Sequence, residues 1–467
     1  MPFPVPALFI AQAESTAQHG DPVAPVLIAL MLIAVGASLG GHWMKKLGQP
    51  AVLGELLIGM VAANVAYYFR EPVITVVREG PTMLAIINAA LAQNLSLADA
   101  AEKILTPGPH TERLVDVLRS AAAPMAVTVF SFIDQLSRVA VIILLFLVGL
   151  ETSVHEMGKV GLAAFLVAVI GVVCPFLLGI GLMAWLTPGA PLQKDIFIGA
   201  ILTATSVGIT ARVFRDLQQS QRTEAKIILG AAVIDDVLGL VILAVVSGLV
   251  VTGSVSLLSV SIITLKAVVF LAVAIGAGMW TTQRMVRRLA RLELDNVKLL
   301  FGLGFAFLLS WLANSIGLAT IVGAFAAGLV LEEFFLEELK GHTLRDALAP
   351  LETLVVPVFF VLMGMQVKLE SFADRQVVVI AALLTAVAIA GKLVAGLGCS
   401  PKLDRLSIGV GMMPRGEVGL IFASIGKGLG VVSDALFSAV VIMVMVTTLL
   451  APPLLKITLA RSERRAE

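Results

Sequence analysis

The sequence predicts an all-α polytopic membrane protein, and three observations carry that expectation. Of its 467 residues, 58% are hydrophobic and only 14% are charged, against about 25% charged in a soluble domain. Apolar segments near the length that crosses ~30 Å of hydrocarbon as a helix recur along almost the whole chain. Blocks of the first half also return, in the same order, in the second half.

Thirteen segments qualify, or nearly so, as spans: 23–41, 50–69, 137–152, 160–186, 193–214, 225–251, 259–282, 297–314, 316–332, 350–368, 376–398, 403–426 and 433–458. Residues 1–22 form an N-terminal tail. It holds an A-x-A-like "AQA" but no Lys or Arg ahead of it, so the positive start of a signal peptide is missing. Residues 70–136 are the one long connection. Its middle, from Pro81 to Leu105, is expected to be an amphipathic surface helix broken by Pro107, Gly108 and Pro109. Residues 459–467 form a short tail.

Loop charges orient the bundle. With the N-terminus outside, the cytoplasmic loops gather Lys45, Lys46, Arg212, Arg215, Arg222, Lys226 and the Arg284–Arg291 cluster. The outer side keeps Lys194, Lys368, Arg375, Lys427 and the scattered charges of the 70–136 insertion. That asymmetry obeys the positive-inside rule and leaves the C-terminus in the cytoplasm. Net charge is +1 and no long basic run occurs, so no nucleic-acid partner is expected. Cys174 and Cys399 have no motif partner, and the five histidines are scattered, which argues against disulfide, zinc or haem chemistry.

The internal repeat is visible in three blocks. "KLGQPAVLGELLIGMVA" (46–62) aligns without gaps on "SIGLATIVGAFAAGLVL" (315–331), placing Gly54 on Gly323 and Gly59 on Gly328. "LFLVGLETSV" (145–154) matches "FFVLMGMQVKL" (359–369), with Gly149 on Gly364. "IGAILTATSVGITARVF" (198–214) falls against "IGVGMMPRGEVGLIFA" (408–423). Spans 2–6 would then repeat as spans 9–13, and an odd number of helices makes the two five-helix copies inverted, as in secondary transporters. Small residues also recur in ordinary membrane-helix packing, but three blocks in order say more than one. The third block marks two discontinuous helices, one around Thr203, Thr205 and Ser206, the other around Pro414, Arg415, Gly416 and Glu417. Broken helices at matching positions point to a transport site near the midplane.

Five ionisable residues lie deep in apolar runs: Asp235, Asp236, Lys392, Arg415 and Glu417. Each costs about 3 kcal/mol on insertion scales, so such groups face the bundle interior. Three carboxylates against two cations leave one over, the natural carrier of a proton or a cation. Adjacent helical positions point about 100° apart, so one aspartate can take Lys392 while the other faces a cavity. Arg415 and Glu417 fit equally as structural charges where the broken helices meet. Glu55 and Glu151 are weaker candidates. An aspartyl protease would place its two acids on separate helices, and here they are adjacent. A channel and a non-transporting ion sensor stay open as rival readings.

The motifs "KLGQPAVLGELLIGM", "LFLVGLETSV", "TATSVGITARVF", "GAAVIDDVLGL" and "GMMPRGEVGLI" resemble the monovalent cation:proton antiporter superfamily. The likeness is nearest to bacterial sodium/proton antiporters of the NapA and GerN type, with Kef potassium/proton systems more distant. The resemblance implies an NhaA/NapA-like fold of 13 helices with two crossed discontinuous helices. It implies a core of spans about 160–251 and 376–458, a dimerisation scaffold of spans about 23–152 and 297–368, a linker helix about 259–282, and a homodimer. It implies Asp236 as the carrier of Na⁺ and H⁺ (Li⁺ or K⁺ as alternatives), Asp235 as the partner of Lys392, and Thr205 and Ser206 as ion ligands from the unwound stretch. Arg415 and Glu417 would match the charged crossing. No resident cofactor is implied, and the partners are the two ions and membrane lipid. An Asp-Asp pair with a lysine resembles the electrogenic branch, two protons for one sodium. The lack of a nucleotide-binding regulatory domain argues against a Kef-type system.

Overall fold

The computed structural model describes residues 21, 23–105, 108–151, 161–206, 210, 214, 219, 222–252, 257–289, 297–335 and 344–466. The apolar segments expected from the sequence fall on helix over most of their described residues, and most of 207–214 lies outside the described residues. In chain order these are α1 (Ala24–Lys46), α2 (Ala51–Tyr68), α3 (Pro72–Val77), α4 (Pro81–Gln93), α5 (Leu97–Ile104), α6 (Pro109–Arg119) and α7 (Ala123–Glu151). Then come α8 (Leu162–Leu186), α9 (Leu192–Ile201), α10 (Thr223–Thr252), α11 (Leu257–Leu289), α12 (Val297–Ser315) and α13 (Thr320–Phe335). The last are α14 (Leu344–Met365), α15 (Arg375–Ala395), α16 (Arg405–Gly411), α17 (Glu417–Gly428) and α18 (Asp434–Ala466). The N-terminal tail, apart from Asp21, lies outside the described residues apart from Asp21.

Among the described residues eight helices are long and apolar enough to cross a bilayer: α1, α2, α7, α8, α10, α14, α15 and α18. Shorter apolar stretches lie at Ser261–Gly276, Leu299–Ser315, Thr320–Leu331 and Val418–Gly428. Length and composition alone therefore give fewer spans than the thirteen segments expected, because several segments are short or broken.

Local chemistry sets the helix ends. Proline in the first turn of α1 uses a position whose N–H has no helical partner, and Lys45 and Lys46 face the negative end of the dipole. Asp374 and Asp404 cap α15 and α16, accepting from the Gln376 and Leu406 N–H groups.

The glycines of the aligned blocks make matching close approaches. A Cβ on Gly54 would lie 2.0 Å from the Gly40 carbonyl oxygen, and one on Gly323 would lie 2.1 Å from that of Leu309, each partner fourteen positions earlier. Gly59 of α2 meets the Val361 carbonyl of α14, while its aligned mate Gly328 of α13 meets the Phe146 carbonyl of α7. Gly364 answers at Leu56 and Gly149 at Phe325. Gly199 and Gly409 press on the carbonyls of Phe176 and Leu393. Without a hydrophobic drive between helices in lipid, such backbone-close packing is a main source of association energy.

The 70–136 insertion differs from expectation. Pro81–Leu105 is not one surface helix: α4 and α5 meet at 115°. Asn94 takes the left-handed conformation that ends α4 (φ 52°), and Ser96 caps α5 by accepting from the Asp99 N–H at 3.1 Å. Nor does α4 merely lie on the surface, since Met83, Ile86 and Ala90 are buried. Pro81, at the start of α4, sits against Gly428 at the end of α17. The insertion is a packed cap over one end of the bundle.

Candidate functional site: a buried acid pair at two helix breaks

α9 ends at Ile201 and α16 ends at Gly411, and those two positions are aligned in the internal repeat. Residues 204–206 and 413–416 are then non-helical. The two stretches touch, with the Ser206 N–H donating to the Pro414 carbonyl at 2.9 Å. A Cβ on Gly416 would come within 2.6 Å of the Ser206 hydroxyl, so any larger residue there would have to displace the Ser206 side chain.

Unwinding leaves carbonyls that hydrocarbon cannot satisfy. Hydroxyls and one guanidinium take them. Thr210 donates to the Gly411 carbonyl at 2.7 Å, and Thr448 of α18 donates to the Arg415 carbonyl. Arg415 itself is fully buried and donates to the Ala204 carbonyl beyond the end of α9, and to the Ala388 carbonyl at 3.4 Å. A cation thus sits at the negative end of a half-helix. Glu417 opens α17, and its side chain lies outside the described residues.

Across this junction runs α10 with Asp235 and Asp236. Lys392 of α15 reaches both carboxylate oxygens of Asp235, at 3.1 and 3.2 Å. Both partners are sealed from solvent, with side chains 0% and 1% exposed. The Thr205 hydroxyl beside Asp235 donates to the Met412 carbonyl at 3.5 Å, and the Arg415 charge acts on Asp235. Asp236 is buried, lies within electrostatic reach of Lys392, and is engaged by a neighbouring group. The structure therefore brings Asp235, Asp236, Lys392, Thr205, Ser206 and Arg415 to one place.

A family model, sodium/hydrogen exchanger, transmembrane, matches residues 28–461. The chain belongs to the sodium/hydrogen exchanger family. A relative from Synechocystis, the high-affinity Na⁺/H⁺ antiporter NhaS3, is 38% identical over 96% of this chain and 93% of its own length. The Na⁺/H⁺-K⁺ antiporter GerN of Bacillus cereus is 30% identical over 93% of this chain and 96% of its own. The solved sodium proton antiporter MjNhaP1 of Methanocaldococcus jannaschii shares the fold at a TM-score of 0.59 and 16% identity, covering 93% of this chain and 96% of that one. Exchanger-family membership makes the chain a transporter and not an enzyme, of the NapA/GerN type within the monovalent cation:proton antiporters.

Sequence reasoning missed the two hydroxyls that tie down the unwound carbonyls. Thr448 stands in the apolar run "VMVTTLLAPP", where a threonine reads as an ordinary packing residue. A polar residue in the helix after the second break was the only signal.

Proposed function

We propose that the protein is a secondary-active sodium/proton antiporter in which Asp236 holds either Na⁺ or H⁺. The observation that carries this reading is the junction itself. Two adjacent buried acids meet two helix breaks, and one acid is committed to Lys392 through both oxygens. The other points about 100° away around the helix. A hard cation takes oxygen ligands, and Asp236, Thr205, Ser206 and the carbonyls of the unwound stretch offer them. Competition follows from charge: a bound proton removes the negative site that sodium needs.

The same reading gives the chain thirteen membrane crossings in inverted five-helix repeats. The matched glycine approaches and the aligned helix ends support it. The core (about 160–251 and 376–458) moves against a dimerising scaffold (about 23–152 and 297–368), carrying the occupied site across the membrane. Exchange is electrogenic, two protons for one sodium, with Lys392 or protonated Asp235 compensating charge. The N-terminus lies outside and the C-terminus in the cytoplasm, by the loop charges. A second reading, potassium/proton exchange, is favoured by the name of GerN, which includes K⁺.

Purified protein in proteoliposomes tests both. Proton movement driven by Na⁺, Li⁺ and K⁺ gradients is measured at two membrane potentials. Sodium-driven flux that responds to potential is expected, and Asp236→Asn should abolish it. Robust exchange by that variant removes the carrier role; potassium-driven flux alone selects the second reading.

A further inference from the structure

A second cluster of charges, three of them buried, lies at the end of the bundle capped by the insertion. Lys368, just beyond α14, is 3.2 Å from both oxygens of Glu79 and 2.6 Å from Asp434 at the start of α18. Lys427 of α17 reaches the other Asp434 oxygen at 2.8 Å. Glu79, in the turn between α3 and α4, is buried, as are Lys368 and Lys427. His110 of α6 completes the group: its Nε2 is 2.5 Å from Glu79 and 2.9 Å from the Lys368 ammonium, and its Nδ1 is 3.0 Å from the Tyr67 hydroxyl. The imidazole is 31% exposed and the Asp434 carboxylate 30%, so the cluster meets solvent at both.

One ring nitrogen cannot donate to Glu79 and accept from Lys368 at once. Either neutral tautomer leaves one of these two contacts unsatisfied. A second ring proton fixes Nε2 as a donor to Glu79 and puts two cations 2.9 Å apart. With a neutral ring, Glu79 and Asp434 balance Lys368 and Lys427. With a charged ring, three cations face two carboxylates, and Asp434 already holds both ammoniums.

We propose that Glu79, His110, Lys368, Lys427 and Asp434 form a proton-operated latch, which fastens the insertion and the end of α14 to α17 and α18 and loosens when His110 takes a proton from the adjoining compartment. The two sides of the latch fall on the scaffold and core of the reading above, and the inference rests on that reading for its role in transport. Imidazole is the side chain whose ordinary titration lies between pH 5 and 8. Burial alone would raise the Glu79 carboxyl, but Lys368 and His110 more than offset it and hold it below its ordinary 4.5, so Glu79 stays an anion through that range.

The other charged groups around α6 have partners of their own. Arg78 donates from Nη2 to both oxygens of Glu370, at 2.8 and 2.6 Å. Arg113 donates to the Tyr67 carbonyl, and Glu71 accepts from the Val73 N–H. On α5, Asp99 and Glu102 face Arg119; on α7, Asp134 binds Arg138. Glu112 and Asp116 are the remaining charges on α6 itself. None of these touches Nε2 of His110.

The test uses the full chain in nanodiscs, with Cys174 and Cys399 replaced by alanine and nitroxide labels at Ala92→Cys on α4 and Gly428→Cys on α17. The spin–spin distance distribution is read at pH 8 and pH 5.5. The longer-distance population should rise about tenfold on acidification. His110→Gln should hold the pH 8 distribution at both values, and His110→Arg the pH 5.5 distribution at both. A parent distribution that ignores pH, or one whose pH response survives in His110→Gln, overturns the latch. Sodium-driven proton flux is measured on the same preparations. A parent that shows the distance response and no flux leaves the latch standing and removes the antiporter reading.

Discussion

Lys392 and Asp235 form a sealed pair, and their value depends on both being present. Removing one member of a buried pair leaves an uncompensated charge and costs about 3–5 kcal/mol, whereas replacing both is often nearly neutral. Lys392→Met is therefore expected to lower the thermal transition of the purified protein clearly. The double variant Asp235→Asn with Lys392→Met should recover most of it. Equal losses in single and double variants, read by thermal-shift fluorescence, contradict this account of the pair. The pairing was legible in the sequence because both residues stand in otherwise apolar runs, where an isolated charge has few options. Which aspartate Lys392 takes was open on spacing alone, and only the resemblance singled out Asp235. Thr448 was illegible because a hydroxyl in a span is common and its partner is the carbonyl of Arg415, 33 positions away.

At the scale of elements, helix order and the two breaks could be read from apolar length and from repeated glycines. The aligned glycines make equivalent approaches, so equivalent substitutions should fail alike. Gly328→Val places a side chain against the Phe146 carbonyl, and Gly59→Val against that of Val361. Backbone cannot yield as a flexible side chain can, so both should exceed the ~1–3 kcal/mol of ordinary overpacking. Gly304→Ala, whose Cβ would meet nothing within 4 Å, is the control and should leave the thermal transition within a degree or two. A mild effect at either of the first two positions argues that the helices part easily there. The insertion was misread for a physical reason. Its amphipathic pattern resembles a surface helix, but the chain turns at Asn94 and Ser96, two residues whose local hydrogen bonding ends one helix and starts the next.

The whole molecule joins its halves through charges as well as through close packing. Lys368 and Lys427 belong to the loops in a reading by hydropathy, yet both are buried, Lys368 against Glu79 and His110 of the insertion and Lys427 against Asp434 and Phe437 of α18. Their partners lie up to 289 positions apart, a separation no local pattern reports. Glu79 has a carboxyl held below its ordinary 4.5, so its contribution to stability is present above that value and is lost as pH falls through the lowered one. Glu79→Gln should destabilise the protein at pH 7 and flatten the decline of the thermal transition between pH 5 and 3. An unchanged acid limb in that variant assigns the loss to other groups.

The cap over one end also breaks the likeness between the two mouths of a molecule whose halves echo one another. Among the described residues one mouth wears a hood, built from α3 to α6, and its helix bend offers a rigid epitope. An antibody fragment raised against that bend would mark a single compartment, and binding to intact cells or to inverted vesicles would decide which side of the membrane it is.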